Sequence, residues 1–409
     1  MRDGPARPSR RCPGGRLRPA QRGLSGIRGI ALLLVAVAAL AAAARAGAAP
    51  LTVAAYYYPW YAPDHERWGA GYVRSQLLPP EAPLLGEYDS RDPAVIAQHF
   101  AWAHEYGIGV FLCSWDGPGS YSDGTIRDWL LPSPDRGSTQ IGLFYESLGR
   151  FPIGADARIH LDAAGEQTMV DDFDYLARTY FGTPGLYEID GRPVIVIYAS
   201  RIYEGLFADA IRQIRAHLEA AYGVDPYLVG DEVDWDDPPD PDRIGLFDAI
   251  TGYTLYSRTQ PASWSAAEFL QRVSQRVELF RRVAAAEGVA FVPGALTGYD
   301  DRGERLAEDH HVLPRTVGSE SMLQETLALA APLVDPRLGL LAVTSFNEWN
   351  EDTQLEPTAA ADPTSGPAAL TEGYPFAAYG TTPLEELASF AALEEGLPLA
   401  VRSAAAQAR

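Results

Sequence analysis

Short apolar runs alternate with longer amphipathic stretches along most of the chain. The apolar runs are rich in β-branched and aromatic residues and alternate little, which is typical of parallel strands buried on both faces. They predict strands at LTVAAYYY, GIGVFLCSW, STQIGLFYE, RPVIVIYAS, PYLVGDE, LFDAITGYT, VAFVPGAL and LGLLAVTSF. The order of these runs and the helical spacing between them decide the fold class.

Between the predicted strands, apolar residues recur at helical spacing. Asp92 before Pro93 is a strong helix start, an N-cap followed by proline at the first helical position. Further helices are predicted near 168–181, 204–223, 266–287 and 321–333. Such alternation favours an α/β fold with a parallel sheet, and eight units indicate a single-domain (β/α)8 TIM barrel. The alternative is an open doubly wound sheet, but no Gly-x-Gly-x-x-Gly follows the first strand.

The chain divides into four predicted stretches. Residues 1–46 have a long basic region, an apolar run and small residues, which together predict a signal peptide. Residues 51–356 form the catalytic barrel, residues 357–397 a loop and closing helix of the same domain, and residues 398–409 a frayed tail. We therefore expect a secreted or periplasmic protein without a stable membrane span. The alternative is an uncleaved anchor, although the apolar run is short for a membrane span.

Composition excludes several classes of chemistry. All 33 basic residues are arginine, which removes Schiff-base lysine chemistry and the phosphate-binding P-loop lysine. The net charge is −21 although the first 46 residues are basic, so the remaining body is strongly acidic and unsuited to nucleic acid. Of two cysteines, Cys113 lies in an apolar run, and the histidines form no ligand pattern. We expect a monomer with no metal or cofactor.

The ends of the predicted strands carry tyrosines, tryptophans and carboxylates. In a barrel, active groups lie at the C-terminal ends of strands and on the loops that follow. Aromatic faces pack against sugar C–H groups, and glycoside hydrolysis needs a proton donor and a second carboxylate. The composition of these ends therefore predicts a carbohydrate site. The ends offer Tyr56–Tyr58, Ser114–Asp116, Tyr145–Glu146, Tyr198, Asp231–Glu232, Tyr253, Tyr256 and Glu348–Glu351.

Each of these features also has a simpler structural interpretation. Glu348 and Glu351 are three residues apart and could be first-turn acids that a helix dipole favours. The aromatic stretch YYYPWY could be a core strand with an exposed end, and Glu146 a solvated acid at a helix start. Spacing alone leaves both interpretations open.

Several short motifs occur together in a characteristic order. They are YYYPWY, SWDGPGS, GRPVIVIY, GYDDR and TSFNEWNEDTQLEP. Together they resemble glycoside hydrolase family 99, the endo-α-mannosidases, and related family-71/99-like bacterial proteins, from Leu51 to Leu397. The last motif is specific, whereas the others are individually weak. The resemblance implies a (β/α)8 barrel that cleaves internal α-mannosidic bonds with retention and without a metal.

The resemblance also implies roles for particular residues. Glu348 would be the base toward the sugar 2-hydroxyl, which gives a 1,2-anhydro sugar, and Glu351 the general acid that later activates water. A general acid near neutral pH needs a raised pKa, which burial or a neighbouring carboxylate can supply. The implied substrate-binding residues are Glu146, Tyr56, Tyr58, Trp60, Trp115, Asp116, Tyr198, Tyr253, Tyr256, Tyr299, Asp300, Arg302, Asn347 and Trp349.

Two departures from the family pattern leave the sugar specificity open. Asp116 follows Trp115 where the family often has a second tryptophan, and YESLG stands where it often has Glu-Pro-Tyr. The sequence therefore predicts an exported glycoside hydrolase that acts on an α-linked oligo- or polysaccharide. One alternative is a non-catalytic glycan-binding protein on a degenerate barrel. Another is a protein that assembles surface polysaccharide.

Overall fold

The computed structural model describes residues 49–62, 68, 82–253, 255, 265–301, 313–317, 320–359 and 379–394. The predicted signal peptide, most of the loop after residue 359 and the C-terminal tail lie outside these residues. The strands are β1 (Thr52–Tyr57), β2 (Ile108–Trp115), β3 (Gln140–Tyr145), β4 (Ile159–Leu161), β5 (Glu188–Ile189), β6 (Arg192–Ile197), β7 (Tyr203–Gly205), β8 (Tyr227–Asp231), β9 (Ala249–Thr251), β10 (Ala290–Val292), β11 (Gly294–Leu296), β12 (Thr316–Val317), β13 (Glu320–Ser321) and β14 (Leu340–Thr344).

The α-helices are α1 (Pro93–Tyr106), α2 (Tyr121–Thr125), α3 (Ser147–Arg150), α4 (Ala163–Tyr180), α5 (Phe207–Tyr222), α6 (Pro241–Ile244), α7 (Ala266–Ala286), α8 (Met322–Ala330) and α9 (Thr382–Glu394). A π-helical turn covers Ile126–Leu130, and 3₁₀ turns cover Pro134–Arg136, Ser200–Ile202 and Ala331–Leu333. Within the described part of the chain, no helix is long and apolar enough to cross a membrane.

One parallel sheet contains all the predicted strands. Its order is β10-β9-β8-β6-β3-β2-β1-β14-β11, and each neighbouring pair is parallel. The two end strands are separated along the chain by Pro293 alone, so the seventh predicted strand pairs with β9 through its first half and with β14 through its second. Proline has no backbone N–H to donate, which suits this break in pairing. The sheet thus closes into a barrel, and the predicted TIM-barrel fold is confirmed.

Each barrel strand is buried on both faces, which explains the continuous apolar runs in the sequence. Along β1, Ala54 and Tyr56 point into the barrel, where they join an inner apolar cluster. Val53, Ala55 and Tyr57 point outward and pack in a second cluster between the sheet and the helices. Successive side chains of a strand point to opposite faces, so one-residue steps decide which cluster a side chain joins.

Helix starts and ends follow the capping chemistry that the sequence predicts. The side chain of Asp92 accepts a hydrogen bond from Ala94 N at the start of α1, with Pro93 in the first turn. Gly107 ends α1 at a φ of 81°, a left-handed conformation that glycine adopts without strain. Helix α1 therefore stops one residue before β2 begins, and this connection fixes where β2 enters the barrel.

Candidate active site

Three glutamates and a tyrosine lie at the C-terminal ends of the strands. Tyr58 follows β1, Glu146 follows β3, and Glu348 and Glu351 follow β14, whose loop is tied to Tyr58 N by the Asn347 side chain at 2.7 Å. Burial raises the pKa of Tyr58 well above its usual range, and the negative charges of Glu146, Glu348 and Glu351 raise it further. Glu348 and Glu146 are buried, whereas Glu351 is partly exposed.

Glu348 and Glu351 lie on a loop, not on a helix. Residues 345–356 follow β14 without forming a helix; a single turn over residues 349–352 is closed by a hydrogen bond from Thr353 N to Glu348 O at 3.3 Å. The hydroxyl of Ser345 accepts a hydrogen bond from Glu348 N at 2.8 Å and lies 2.8 Å from the hydroxyl of Thr353. These contacts join the start of the loop to its later residues. Asn350 N donates to the Glu348 carboxylate at 3.0 Å. The interpretation of the two acids as first-turn residues of a helix is therefore wrong.

Three tyrosines line the same site as neutral phenols. The hydroxyls of Tyr58 and Tyr253 are hydrogen bonded to each other. Burial raises the pKa of Tyr253 and of Tyr198, and Glu351 raises both further, so each side chain lies near that carboxylate. The ring of Tyr253 packs edge-on against Tyr198, with centroids 5.1 Å apart. All three residues can donate O–H groups to a carboxylate or a sugar oxygen.

Tyr56 and Trp60 support these tyrosines. Tyr56 is almost fully buried inside the barrel, where its ring lies 4.8 Å from the rings of Phe144 and Tyr253. The ring of Trp60 lies 4.5 Å from that of Tyr58, and 8% of Trp60 remains exposed. The structure thus places both predicted residues beside the site.

Glu146 is held by a residue that the sequence analysis did not select. It follows β3 directly, and its carboxylate accepts a hydrogen bond from the hydroxyl of Ser114 at 3.0 Å. Ser114 is the inward-facing residue at the end of β2 and is fully buried. Strict alternation along β2 from the inward-facing Leu112 is the signal that could have identified it.

Trp115 is placed away from the cleft, and its prediction as a substrate-binding residue is wrong. The same alternation points its side chain outward, where it is fully buried and stacks on Tyr145 at 5.7 Å. Its indole N–H donates to Asp123 at 2.9 Å. Asp116, the next residue, accepts from the hydroxyl of Ser122 at 3.0 Å and is partly exposed at the end of β2.

Asn347 and Trp349 are buried in the protein, so the structure places them beneath the site and does not support direct sugar binding. The amide of Asn347 accepts from Tyr58 N at 2.7 Å and donates to Tyr58 O at 3.0 Å, so it clamps the end of β1. Trp349 is fully buried, and its indole N–H donates to Glu356 at 2.7 Å. Both side chains hold the loop that carries the two glutamates.

The segment after β11 contacts this loop from the other side. Asp300 N donates to Glu351 O at 2.8 Å, and the backbone of Tyr299 pairs with that of Leu313. Tyr299 and Asp300 therefore border the glutamate loop. The predicted residues Tyr256 and Arg302 lie outside the described residues.

Asp231 is a second functional candidate. It stands at a predicted strand end but was not among the predicted site residues. Its carboxylate accepts from Ala199 N and from Tyr253 N, both at 2.9 Å, and pairs with Arg201. It therefore links the ends of β6, β8 and β9, and it sets the position of Tyr253.

Within the described ranges, no cluster of histidine, cysteine and carboxylate side chains is arranged to hold a metal ion.

This arrangement suits proton transfer at a glycosidic bond. Two glutamates on the loop after β14 and a third at the end of β3 provide several carboxylates, and the nearby neutral phenols provide donors. A pair of acids in such a site can act as proton donor and base. A site of neutral phenols and carboxylates also favours a polar, uncharged ligand with many hydroxyls.

Comparison with known proteins supports this chemistry. Residues 78–365 match the model of glycosyl hydrolase family 99. The human glycoprotein endo-alpha-1,2-mannosidase-like protein is 26% identical over 355 residues, which cover 74% of this chain and 67% of that protein. The mouse glycoprotein endo-alpha-1,2-mannosidase is 25% identical over 333 residues, with 74% and 67% covered.

Solved structures share the fold. The endo-alpha-mannosidase of family 99 from Bacteroides thetaiotaomicron superimposes with a TM-score of 0.59 at 19% identity, over 84% of this chain and 96% of that one. A structure described as a glycoside hydrolase-like protein gives 0.62 at 17% identity, over 83% and 94%. At these identities the likeness establishes the barrel fold and nothing finer.

Proposed function

The chain belongs to glycosyl hydrolase family 99 and is a glycoside hydrolase, and from that premise we propose that it cleaves α-mannosidic bonds within a glycan by a two-glutamate mechanism. The observation that carries the proposal is that three glutamates stand at strand ends around Tyr58: Ser114 holds Glu146, and Asn347 clamps the loop of Glu348 and Glu351 to the backbone of Tyr58. Two of these acids share one loop, so they can act on the same sugar. The mannosidase names of the curated relatives support mannose as the sugar.

The first step of the proposed mechanism breaks the glycosidic bond. The Glu348 carboxylate removes the proton of the sugar 2-hydroxyl, and O2 attacks C1 of the same sugar. The bond from C1 to the leaving oxygen breaks, and that oxygen takes the proton of the Glu351 carboxyl group. The products are the shortened glycan and a 1,2-anhydro sugar, with Glu348 protonated and Glu351 ionised.

The second step returns both glutamates to their starting states. Glu351 removes a proton from water, which attacks C1, and the C1–O2 bond opens. O2 takes the proton back from Glu348. Because C1 is attacked twice from opposite faces, the product keeps the configuration of the substrate. The partial exposure of Glu351 supports its role in activating water, and the buried position of Glu348 supports its role toward a bound hydroxyl.

Glu351→Gln tests this proposal, because glutamine can neither give nor take the proton. We expect the purified protein to release reducing ends from one α-mannan in a panel of α-mannans, α-glucans and β-glucans. The variant should lose at least about 1,000-fold in kcat, since it removes an acid and a base together. Glu219→Gln changes an exposed glutamate on α5 and serves as the matched control. Wild-type rates in Glu351→Gln would end the mechanism, and binding without release would favour a glycan-binding protein.

We also propose that residues 1–46 direct export and are removed, and that the protein acts outside the cytoplasm as a monomer. The basic region, apolar run and small residues of this segment support the proposal. N-terminal sequencing of the protein recovered from its native host should begin near Gly47 or Ala49. A chain that begins at its first residues and stays with the membrane would contradict cleavage.

A further inference from the structure

A buried carboxylate lies beneath the loop that carries the two glutamates. Glu356 is the penultimate residue of the specific motif of the sequence, and none of its surface is exposed. One carboxylate oxygen accepts from the indole N–H of Trp349 at 2.7 Å and from the hydroxyl of Tyr88 at 2.8 Å. The other lies 3.1 Å from His99 Nε2. The proposed reaction steps do not use this residue.

The hydrogen bonds of this cluster continue beyond Glu356. Burial raises the pKa of Tyr57 and of Tyr88 well above the usual range, and the charge of Glu356 raises both further, so both side chains stay protonated. The Tyr57 hydroxyl lies 2.9 Å from His99 Nδ1, and His99 Nε2 lies 3.1 Å from Glu356. The Glu356 carboxylate thus receives hydrogen bonds from Trp349 and Tyr88 and contacts His99.

Two routes connect Glu356 to the active site. Trp349 lies between Glu348 and Glu351 in the chain, so the bond from its indole to Glu356 fixes the middle of the loop. On the second route, the hydroxyl of Tyr88 accepts from the Asn347 amide at 3.2 Å. That same amide clamps both backbone groups of Tyr58, which stands at the strand ends with the three glutamates.

We propose that Glu356 is a positioning residue for the reaction: it anchors Trp349 and the Tyr88–Asn347 pair, and so holds Glu348, Glu351 and Tyr58 in their working geometry. The inference rests on the proposed function. Glu356 touches no sugar, because it is fully enclosed by protein. Its effect on the reaction passes through the loop and through β1.

Glu356→Gln tests the anchor at nearly constant volume. One carboxylate oxygen becomes an NH₂ group, which then faces either His99 or the donor pair Trp349 and Tyr88. We expect kcat to fall about 10- to 100-fold, because small displacements of reacting groups cost rates of this size. KM should change less than about threefold, since the sugar contacts are intact. The indole N–H resonance of Trp349 in a ¹⁵N spectrum should shift.

Asp248→Asn is the control that distinguishes an effect on positioning in the active site from a general loss of stability. Asp248 precedes β9 at the opposite end of the barrel and bonds to Arg192, Arg215 and Leu228 N. Its loss should lower the melting temperature without changing kcat of the folded protein. If Glu356→Gln likewise lowers only the melting temperature, Glu356 is merely structural and the proposal is overturned.

Trp349→Phe keeps an aromatic ring and removes the indole N–H, so it decides the question even if Glu356→Gln does not fold. It should lower kcat by a similar factor, and the double variant should lose little more than either single variant, because both substitutions act through the same anchor at Glu356. Wild-type kcat in Trp349→Phe would overturn the inference and leave the proposed function standing. No turnover by the wild type on any glycan would overturn both.

Discussion

The hydroxyl groups of Tyr58 and Tyr253 form a hydrogen-bonded pair in the candidate active site. Both phenols stay neutral because burial and nearby carboxylates raise their pKa values. A neutral phenol beside a carboxylate supplies a donor without adding charge. The pair can therefore donate to sugar oxygens when the site is filled.

The first prediction concerns this pair. Tyr253→Phe removes one hydroxyl and keeps the ring that packs on Tyr56 and Tyr198. We expect kcat/KM to fall about 10-fold, because one hydrogen bond in such a site contributes about 1.4 kcal/mol. Tyr180→Phe removes a hydroxyl that donates to Asp123 outside the barrel. It should cost similar stability and leave kcat/KM unchanged; equal activity losses in the two variants would contradict a specific role.

A move of one residue along a strand turns the side chain from the inner face of the barrel to the outer face. The sequence therefore could not predict every side chain that reaches the site. The sequence predicts which residues stand at strand ends: Tyr58 follows β1, Glu146 follows β3 and Glu348 lies on the loop after β14. It did not distinguish Ser114 from Trp115, because a run buried on both faces hides its alternation. Nor could it show that Trp349 is buried, because its partner Glu356 is fixed by how the loop folds back.

At the scale of elements, Asp231 links strand ends that are separate in sequence. Its carboxylate accepts from Ala199 N after β6 and from Tyr253 N after β9, and it pairs with Arg201. These bonds hold Tyr198 and Tyr253 at the ends of β6 and β9, on either side of β8. Spacing in the sequence gives no sign of this link, since the three strand ends meet only when the strands pair in the sheet.

The second prediction is that Asp231→Asn weakens this link. The amide presents an NH₂ group to backbone N–H donors and leaves Arg201 poorly paired. Breaking a buried pair of this kind should cost about 3 kcal/mol of unfolding free energy, measured by urea titration. Asp234→Asn is the control, since Asp234 lies 3.7 Å from the same arginine at a more exposed site. It should cost less than about 1 kcal/mol; a larger loss than in Asp231→Asn would contradict the link.

At the scale of the whole molecule, the two ends of the barrel differ in their polar groups. Phenols and carboxylates, with the Asp231–Arg201 pair, lie at the C-terminal ends of the strands, where we propose that the active site lies. At the N-terminal ends, Arg192 and Arg215 both bond to Asp225 and Asp248. This separation follows the rule that one end of a TIM barrel carries function and the other carries stability.

The third prediction uses pH to test the stabilising end. Burial acts to raise the pKa of Asp248, but hydrogen bonds from Arg192 and Arg215 outweigh it, so the pKa lies below its ordinary value of 3.8. The folded state therefore favours the ionised form. Its contribution to stability is complete above about pH 4, where the unfolded group is also ionised, and is lost as the pH falls through the lower pKa of the folded state.

Asp248→Asn should therefore be less stable than the wild type by about 2 kcal/mol at pH 7, because hydrogen bonds to a charged group contribute this much. The difference should shrink as the pH falls below about 4, since the wild type then loses the same contribution. Urea unfolding at pH 7, 5 and 3.5 measures it. Asp209→Asn breaks an exposed pair with Arg212 and should change stability by less than about 0.5 kcal/mol at every pH. A difference between Asp248→Asn and the wild type that stays constant down to pH 3.5 would show that the carboxylate contributes through packing and not through its charge.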